Sequence, residues 1–233
     1  DARGNTLEQR IVTKDDAGNV LTVTEVSSSS FDNRGNAGKN VRRNLDETGK
    51  LIDIQEIINH RYDSRGNVLS QTLISRDTEG KQVNKTIVTN ADFDFRGNAG
   101  KTVRANYDDK DKLIDVQEIK NLEFDVKGNV VRQITTTKDP AGAVTGITEV
   151  TNEKFNAKGN AEHTVRVNKD KDGNVLDVQD ITNLKFDKKG NVLEQVTVTK
   201  DAAGAVIGSA RVINSAYDSR GNAGKTLRTS MDE

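Results

Sequence analysis

Eight glycines, Gly4, Gly35, Gly66, Gly97, Gly128, Gly159, Gly190 and Gly221, stand 31 residues apart, and each is followed by asparagine. A catalytic domain needs unlike side chains to converge from unlike elements, whereas an array asks every unit to repeat the same packing. The regular beat therefore constrains residues 1–233 to one tandem-repeat array.

A second set of turn positions lies 14 residues further on: Gly18, Gly49, Gly80, Gly142, Gly173 and Gly204, with Asp111 in the same register. Three residues before each member of either set sits an aspartate, with Asn156 as the exception. Asp-x-x-Gly is the chemistry of a type I turn: the carboxylate accepts N–H groups inside the turn, and glycine takes positive φ at its exit. Pro140, the single proline, falls at the second turn position, where its fixed φ fits. The sequence thus predicts 15 turns of one design, from Asp1 and Asp15 to Asp218.

Segments between turns are rich in Val, Ile, Thr and Gln, as in Val196-Thr197-Val198-Thr199, and read as strands. Strict meander order with no helical period predicts an all-β fold, a continuous antiparallel sheet of about 15 strands. Aromatic residues end alternate strands at Phe31, Tyr62, Phe93, Phe124, Phe155, Phe186 and Tyr217. A β-branched row from Val26 and Ile57 to Val212 lies five residues earlier, and an asparagine row from Asn59 and Asn90 to Asn214 three earlier. Strict alternation would put the row of Glu25, Glu56, Glu118, Glu149, Asp180 and Arg211 on the aromatic face.

The shorter strands alternate between a Gln type (Gln9, Gln71, Gln133, Gln195) and an Arg type (Arg42, Arg104, Arg166, Arg228), so the full period is 62. Symmetric pairing about the turns would set Arg42 opposite Asp53, Arg104 opposite Asp115 and Arg166 opposite Asp177, with Lys39 meeting Glu56 and Lys101 meeting Glu118. Turn spacings of 14 and 17 leave three residues of stagger. An odd shift would flip the faces, so one bulge per repeat and a net stagger near two residues are expected. Such a stagger curls a sheet into a spiral, a tube or a barrel.

Composition bounds the function. Adding the 19 glycines to the 33% apolar residues gives about 40%, below the ~45 to 50% of globular chains, so the core must be thin. With 35 basic against 36 acidic residues there is no global field to attract nucleic acid. No run approaches the ~18 apolar residues of a membrane helix, so membrane insertion is not expected. Zero cysteines exclude disulfides and thiolate chemistry.

The segments Tyr62-Asp63-Ser64-Arg65-Gly66-Asn67 and Tyr217-Asp218-Ser219-Arg220-Gly221-Asn222 resemble the YD repeat of RHS-type proteins, with its Tyr-Asp-x-x-Gly signature. The likeness returns with phenylalanine at Phe31, Phe93, Phe124 and Phe186, at an atypical period of 31. The resemblance implies a large bacterial secreted or surface polypeptide whose hairpins wind into a spiral sheet, in some members a shell around a toxin.

Repeat position also bears on chemistry. His60 and His163 occupy places filled elsewhere by Leu122, Leu184 or Lys101, which makes them strand side chains and not members of a triad. Glu56, Glu118 and Asp180 repeat every 62 residues, as structural ladders do and a glycosidase pair does not. The Gly-Asn sites lack the helix that a phosphate loop requires. Asp170-Lys171-Asp172-Gly173-Asn174 with Asp177 is a fragment of a calcium loop and equally an acidic capped turn. Thr22 to Thr24 and Thr197 to Thr199 form Thr-Val-Thr, but too irregularly for an ice-binding ladder.

The expectation is therefore a non-enzymatic structural segment of an extracellular or cell-surface protein, stalk or filament, with no catalytic, metal or cofactor residues. The turn that Asp232 would open begins another long strand, whose absence leaves two sheet edges. Self-association or continuation through those edges is the expected partnership. The alternatives are a glycan- or protein-binding adhesin module using the Arg, Gln and Asn rows, and a shell fragment of an RHS-type toxin-delivery protein.

Overall fold

Asp-capped turns and β-rich segments alternate along the whole chain in the computed structural model, which describes residues 1–14, 18–217 and 223–231. The predicted turn positions Asp15, Asp218, Gly221 and Asp232 lie outside the described residues. Seven strands have 12 residues: β2 (Val20–Phe31), β4 (Leu51–Tyr62), β6 (Gln82–Phe93), β8 (Leu113–Phe124), β10 (Val144–Phe155), β12 (Val175–Phe186) and β14 (Val206–Tyr217). Between them run shorter strands: β1 (Glu8–Lys14), β3 (Ala37–Leu45), β5 (Val68–Arg76), β7 (Ala99–Tyr107), β9 (Val130–Lys138), β11 (Ala161–Lys169), β13 (Val192–Asp201) and β15 (Ala223–Ser230). Among the described residues there is no helix.

The hydrogen-bonded order is β1 to β15 without a crossover, the antiparallel meander that the turns predict. The sheet is open, not closed into a barrel: among the described residues β1 has only β2 and β15 only β14 as neighbour. The chain divides into two compact units, Asp1–Val116 and Gln117–Glu233, with the division falling inside β8. In each unit the strands pack only against their chain neighbours.

A single layer of this kind has little interior. Among the described residues only Val23, Val88, Ile181 and Ala210 are buried apolar side chains, and none is completely enclosed. Cohesion comes instead from backbone ladders and same-face pairs worth roughly 0.2 to 1 kcal/mol each. That is the thin core that the composition requires.

The bulge and the stagger are present in both units. Val26 lies level with Arg42 and Arg42 with Gln55, whereas the repeat equivalent of Val26 is Ile57, two residues on. Val150, Arg166 and Gln179 repeat the step in the second unit, where the equivalent of Val150 is Ile181. The register shifts once beside six of the second-set turns, as between Asn44 and Leu45 or Asn168 and Lys169. One long-strand residue is left unpaired there: Leu21, Ile52, Val83, Thr145, Leu176 and Ile207 in turn. Most are apolar yet well exposed, from 39% at Leu21 to 62% at Ile207.

Two expectations fail in detail. The predicted register is wrong by two residues, since Asn44 and not Arg42 faces Asp53, and Asn168 and not Arg166 faces Asp177. The cause is an amide to carboxylate bond, 2.6 Å from Asn44 Nδ2 to Asp53 Oδ1, that locks the bulged register. An even error keeps every face, and Lys39 still reaches Glu56 at 2.5 Å, diagonally across the ladder.

The aromatic row also lies on the other side from the glutamates. Tyr62 Oη and Asn59 Nδ2 both donate to Ala37 O, at 2.6 and 2.9 Å, so these side chains meet although they are three residues apart. Alternation breaks at the ends of β2, β4, β6, β10, β12 and β14. The register is irregular around Arg61, and the equivalent residues Ser30, Asp92, Lys154 and Ala216 have φ from 51° to 57°.

Candidate functional site

The first-set turns form the most regular feature of the chain. At Asp63 the backbone closes with Gly66 N donating to Asp63 O at 3.2 Å and Asp63 N donating to Asn67 O at 2.9 Å. The Asp63 Oδ1 accepts from Arg65 N and Asn67 N at 2.8 and 2.9 Å, and Oδ2 accepts from Asn67 Nδ2 at 2.8 Å. This is a type I turn followed by a left-handed glycine, with φ of 88° at Gly66. The same clamp recurs at Asp1, Asp32, Asp94, Asp125 and Asp187. It gives the asparagines at Asn5, Asn36, Asn67, Asn98, Asn129 and Asn191 a role, which the 31-residue recurrence signalled without explaining.

Within each unit successive turns of this rim are tied together. Arg3 Nη1 donates to Asp32 O at 3.0 Å, Arg34 Nη1 to Ser64 O at 2.5 Å and Arg65 Nη1 to Asp94 O at 2.7 Å. Lys158 does the same to Lys188 O in the second unit. The basic residue one place before each glycine is periodic in the sequence, but its target was not legible there. Donors also lower the clamped carboxylates: the Asn36 side chain, above all, holds Asp32 below its ordinary value, and Asn174 does so for Asp170.

Rows of polar side chains cover the aromatic face. Asn90 Nδ2 donates to Val68 O at 3.0 Å and its Oδ1 accepts from Thr102 at 2.8 Å, with Asn152 and Thr164 arranged likewise. In the first repeat the pair is exchanged, Ser28 Oγ donating to Asn40 Oδ1 at 2.7 Å. Thr24, Asn44 and Asp53 form a three-strand row that returns as Thr86, Asn106 and Asp115 and as Thr148, Asn168 and Asp177.

The opposite face carries ion pairs. Glu56 accepts from Lys39 and Arg76, Glu118 from Lys138, and Glu149 from Lys169. Lys185 and Arg211 meet Glu194 at 2.7 and 2.6 Å and hold its carboxyl below the ordinary value. Asp111, which takes positive φ in place of glycine, is anchored by Gln82 and Lys85 at 2.9 and 2.8 Å.

These contacts settle where the candidate residues go. Glu56, Glu118 and Asp180 are each engaged by a cation or an imidazole of a neighbouring strand, in the ladder manner expected. His60 reaches Thr72 Oγ1 at 2.8 Å, and His163 lies between Glu153 and Asp180. In the acidic turn, Asp170 is occupied by Asp172 N, Asn174 N and Asn174 Nδ2, while Asp177 accepts from Asn168. The described residues contain no group of three metal-ligating side chains.

No known family matches the chain, and no curated protein matches it. Among solved structures, TcdB2-TccC3 without its hypervariable C-terminal region is similar over 96% of this chain and 15% of its own, at 13% identity and a TM-score of 0.19. The TcdB2-TccC3-Cdc42 structure gives 95% and 16%, at 11% identity and a TM-score of 0.18. The present chain therefore spans only about 15% of the length of the chains it matches.

Proposed function

We propose that this chain is a structural segment of a tandem-repeat protein of the bacterial cell surface or extracellular space, lengthened hairpin by hairpin and continued through its sheet edges. The reading rests on one observation above all: in each unit every strand packs only against its chain neighbours. Such a sheet has no closed core to limit its length, and a terminal strand offers its partner the same ladder that each internal strand offers. No enzymatic step is required of it. Sedimentation and electron microscopy of concentrated protein test the reading. End-to-end oligomers support it, and stable monomers at every concentration sink the version in which copies join directly.

A second reading is a binding module for glycan or protein. Arg42, Arg104 and Arg166 are exposed on the polar face, level with Val26, Val88 and Val150 on the adjacent strands. Glycan arrays probed with the intact chain and with Arg42→Gln/Arg104→Gln separate this reading from the first. A third, a fragment of an RHS-type shell, rests on the Tyr62-Asp63-x-x-Gly66 likeness, whose tyrosine and aspartate both serve turn and carbonyl contacts here.

A further inference from the structure

His163 stands where lysine stands in the other copies of the 62-residue unit, at Lys39, Lys101 and Lys225. Its partner Asp180 takes the place of Glu56 and Glu118, and the Lys39 to Glu56 rung is a 2.5 Å ion pair. Glu153, opposite His163 on β10, replaces Ser29, Ala91 and Ser215. Glu162 replaces Gly38, Gly100 and Gly224, and Lys154 replaces Ser30, Asp92 and Ala216. Glu153, Lys154, Glu162 and His163 line one open depression with Phe186. Packing in an array asks each unit to repeat, so departures gathered at one place reflect a demand beyond packing.

The geometry specifies the demand. His163 Nδ1 lies 3.3 Å from Glu153 Oε2, and Nε2 lies 2.8 Å from Asp180 Oδ1. Ionised carboxylates only accept, and a neutral imidazole has one N–H, so both contacts together need the imidazolium. We propose that His163 is a pH-operated clasp that ties β10, β11 and β12 together when protonated and frees one carboxylate when neutral, replacing a permanent lysine rung with a titratable one.

The charged groups around the ring are Glu153 and Lys154 from β10, Glu162 from β11 and Asp180 from β12. One step along, Glu149 of β10 is already taken by Lys169 at 2.5 Å. Asp180 chiefly, then Glu153, raises the imidazole above its ordinary 6.5, against the opposing effect of burial. A raised folded pKa means stabilisation that is complete below the unfolded value and lost as pH rises through the folded one. The rung therefore opens on the alkaline side, where Lys39 to Glu56 stays closed.

The test is an NMR titration of His163 in the intact chain, with amide exchange protection of β10, β11 and β12 followed from about pH 5.5 to about 8.5. The expected midpoint lies above 6.5, and protection in these strands falls through it, by up to about tenfold for every full pH step that separates the midpoint from 6.5. His163→Lys, which copies three other units, should keep protection at both ends of the range; His163→Gln should show the low value throughout. A midpoint at or below 6.5, or an undiminished pH dependence in His163→Lys, overturns the proposal.

Discussion

Asn160 stands four residues after Asn156, and its buried Nδ2 finds no acceptor there. At the other first-set turns described the same amide donates to an aspartate Oδ2, as Asn67 does to Asp63 at 2.8 Å. Asn156→Asp supplies the missing oxygen while keeping the bonds from Lys158 N and Asn160 N. The substitution is expected to raise stability by about 1 kcal/mol, measured as a shift in the urea midpoint near neutral pH. The gain should vanish in acid, once the new carboxylate is protonated.

The native turns share that acid sensitivity. Asp32, Asp46 and Asp170 are held below 3.8 by the side-chain and backbone donors of their own turns, and Asp108 by the backbone N–H groups of Lys112 and Lys110. Depressed folded values mean stability that is present above the unfolded pKa and lost as pH falls through the folded ones. Melting temperature should therefore fall steeply below about pH 4. A chain that keeps its full melting temperature near pH 2 would contradict the clamp.

Stacked turns and isolated turns should respond differently to a methyl group. Gly97 and Gly80 have φ of 87° and 85°, but a Cβ on Gly97 would come 2.6 Å from Asn67 Oδ1, while one on Gly80 would meet open space. Asn67 cannot swing away without releasing Asp63. Gly80→Ala is expected to cost about 1 to 2 kcal/mol for the left-handed backbone alone. Gly97→Ala should cost about 1 kcal/mol more, and equal costs in parallel urea melts would argue against stacking.

The exchanged pair Ser28 and Asn40 offers a double-mutant cycle. Its hydrogen bond runs from Ser28 to Asn40, whereas that of Thr102 and Asn90 runs from the shorter strand to the longer, at 2.7 and 2.8 Å. Ser28→Asn crowds two amides and Asn40→Thr removes the acceptor, so each should destabilise. Together they restore the arrangement of the other repeats, with a coupling energy of about 1 kcal/mol between them, read from urea melts of the four proteins.

Periodic features are legible because repetition exposes them. The turn aspartates, the meander, the bulge and the two-residue stagger follow from Asp-x-x-Gly spacing and from the parity of a pleated sheet. Charge complementarity points Arg42 at Asp53, whereas a buried bond from Asn44 sets the register. Parity misplaces Tyr62 because it assumes unbroken alternation, and residues such as Ser30 and Asp92 break it with positive φ. His163 looks like an ordinary strand residue in the sequence because its partners, Glu153 and Asp180, come from two other strands. Its difference from Lys39 and Lys225 at the full 62-residue period is the signal the sequence does carry.

Strands that touch only their chain neighbours within each unit bound the sequence separation of native contacts to adjacent hairpins, so relative contact order falls as hairpins are added. Loop-closure entropy then sets no growing barrier, and a much longer chain should nucleate at any hairpin and zip outward from it at a rate independent of its total length. Duplication of a unit lengthens such a molecule without making it harder to fold.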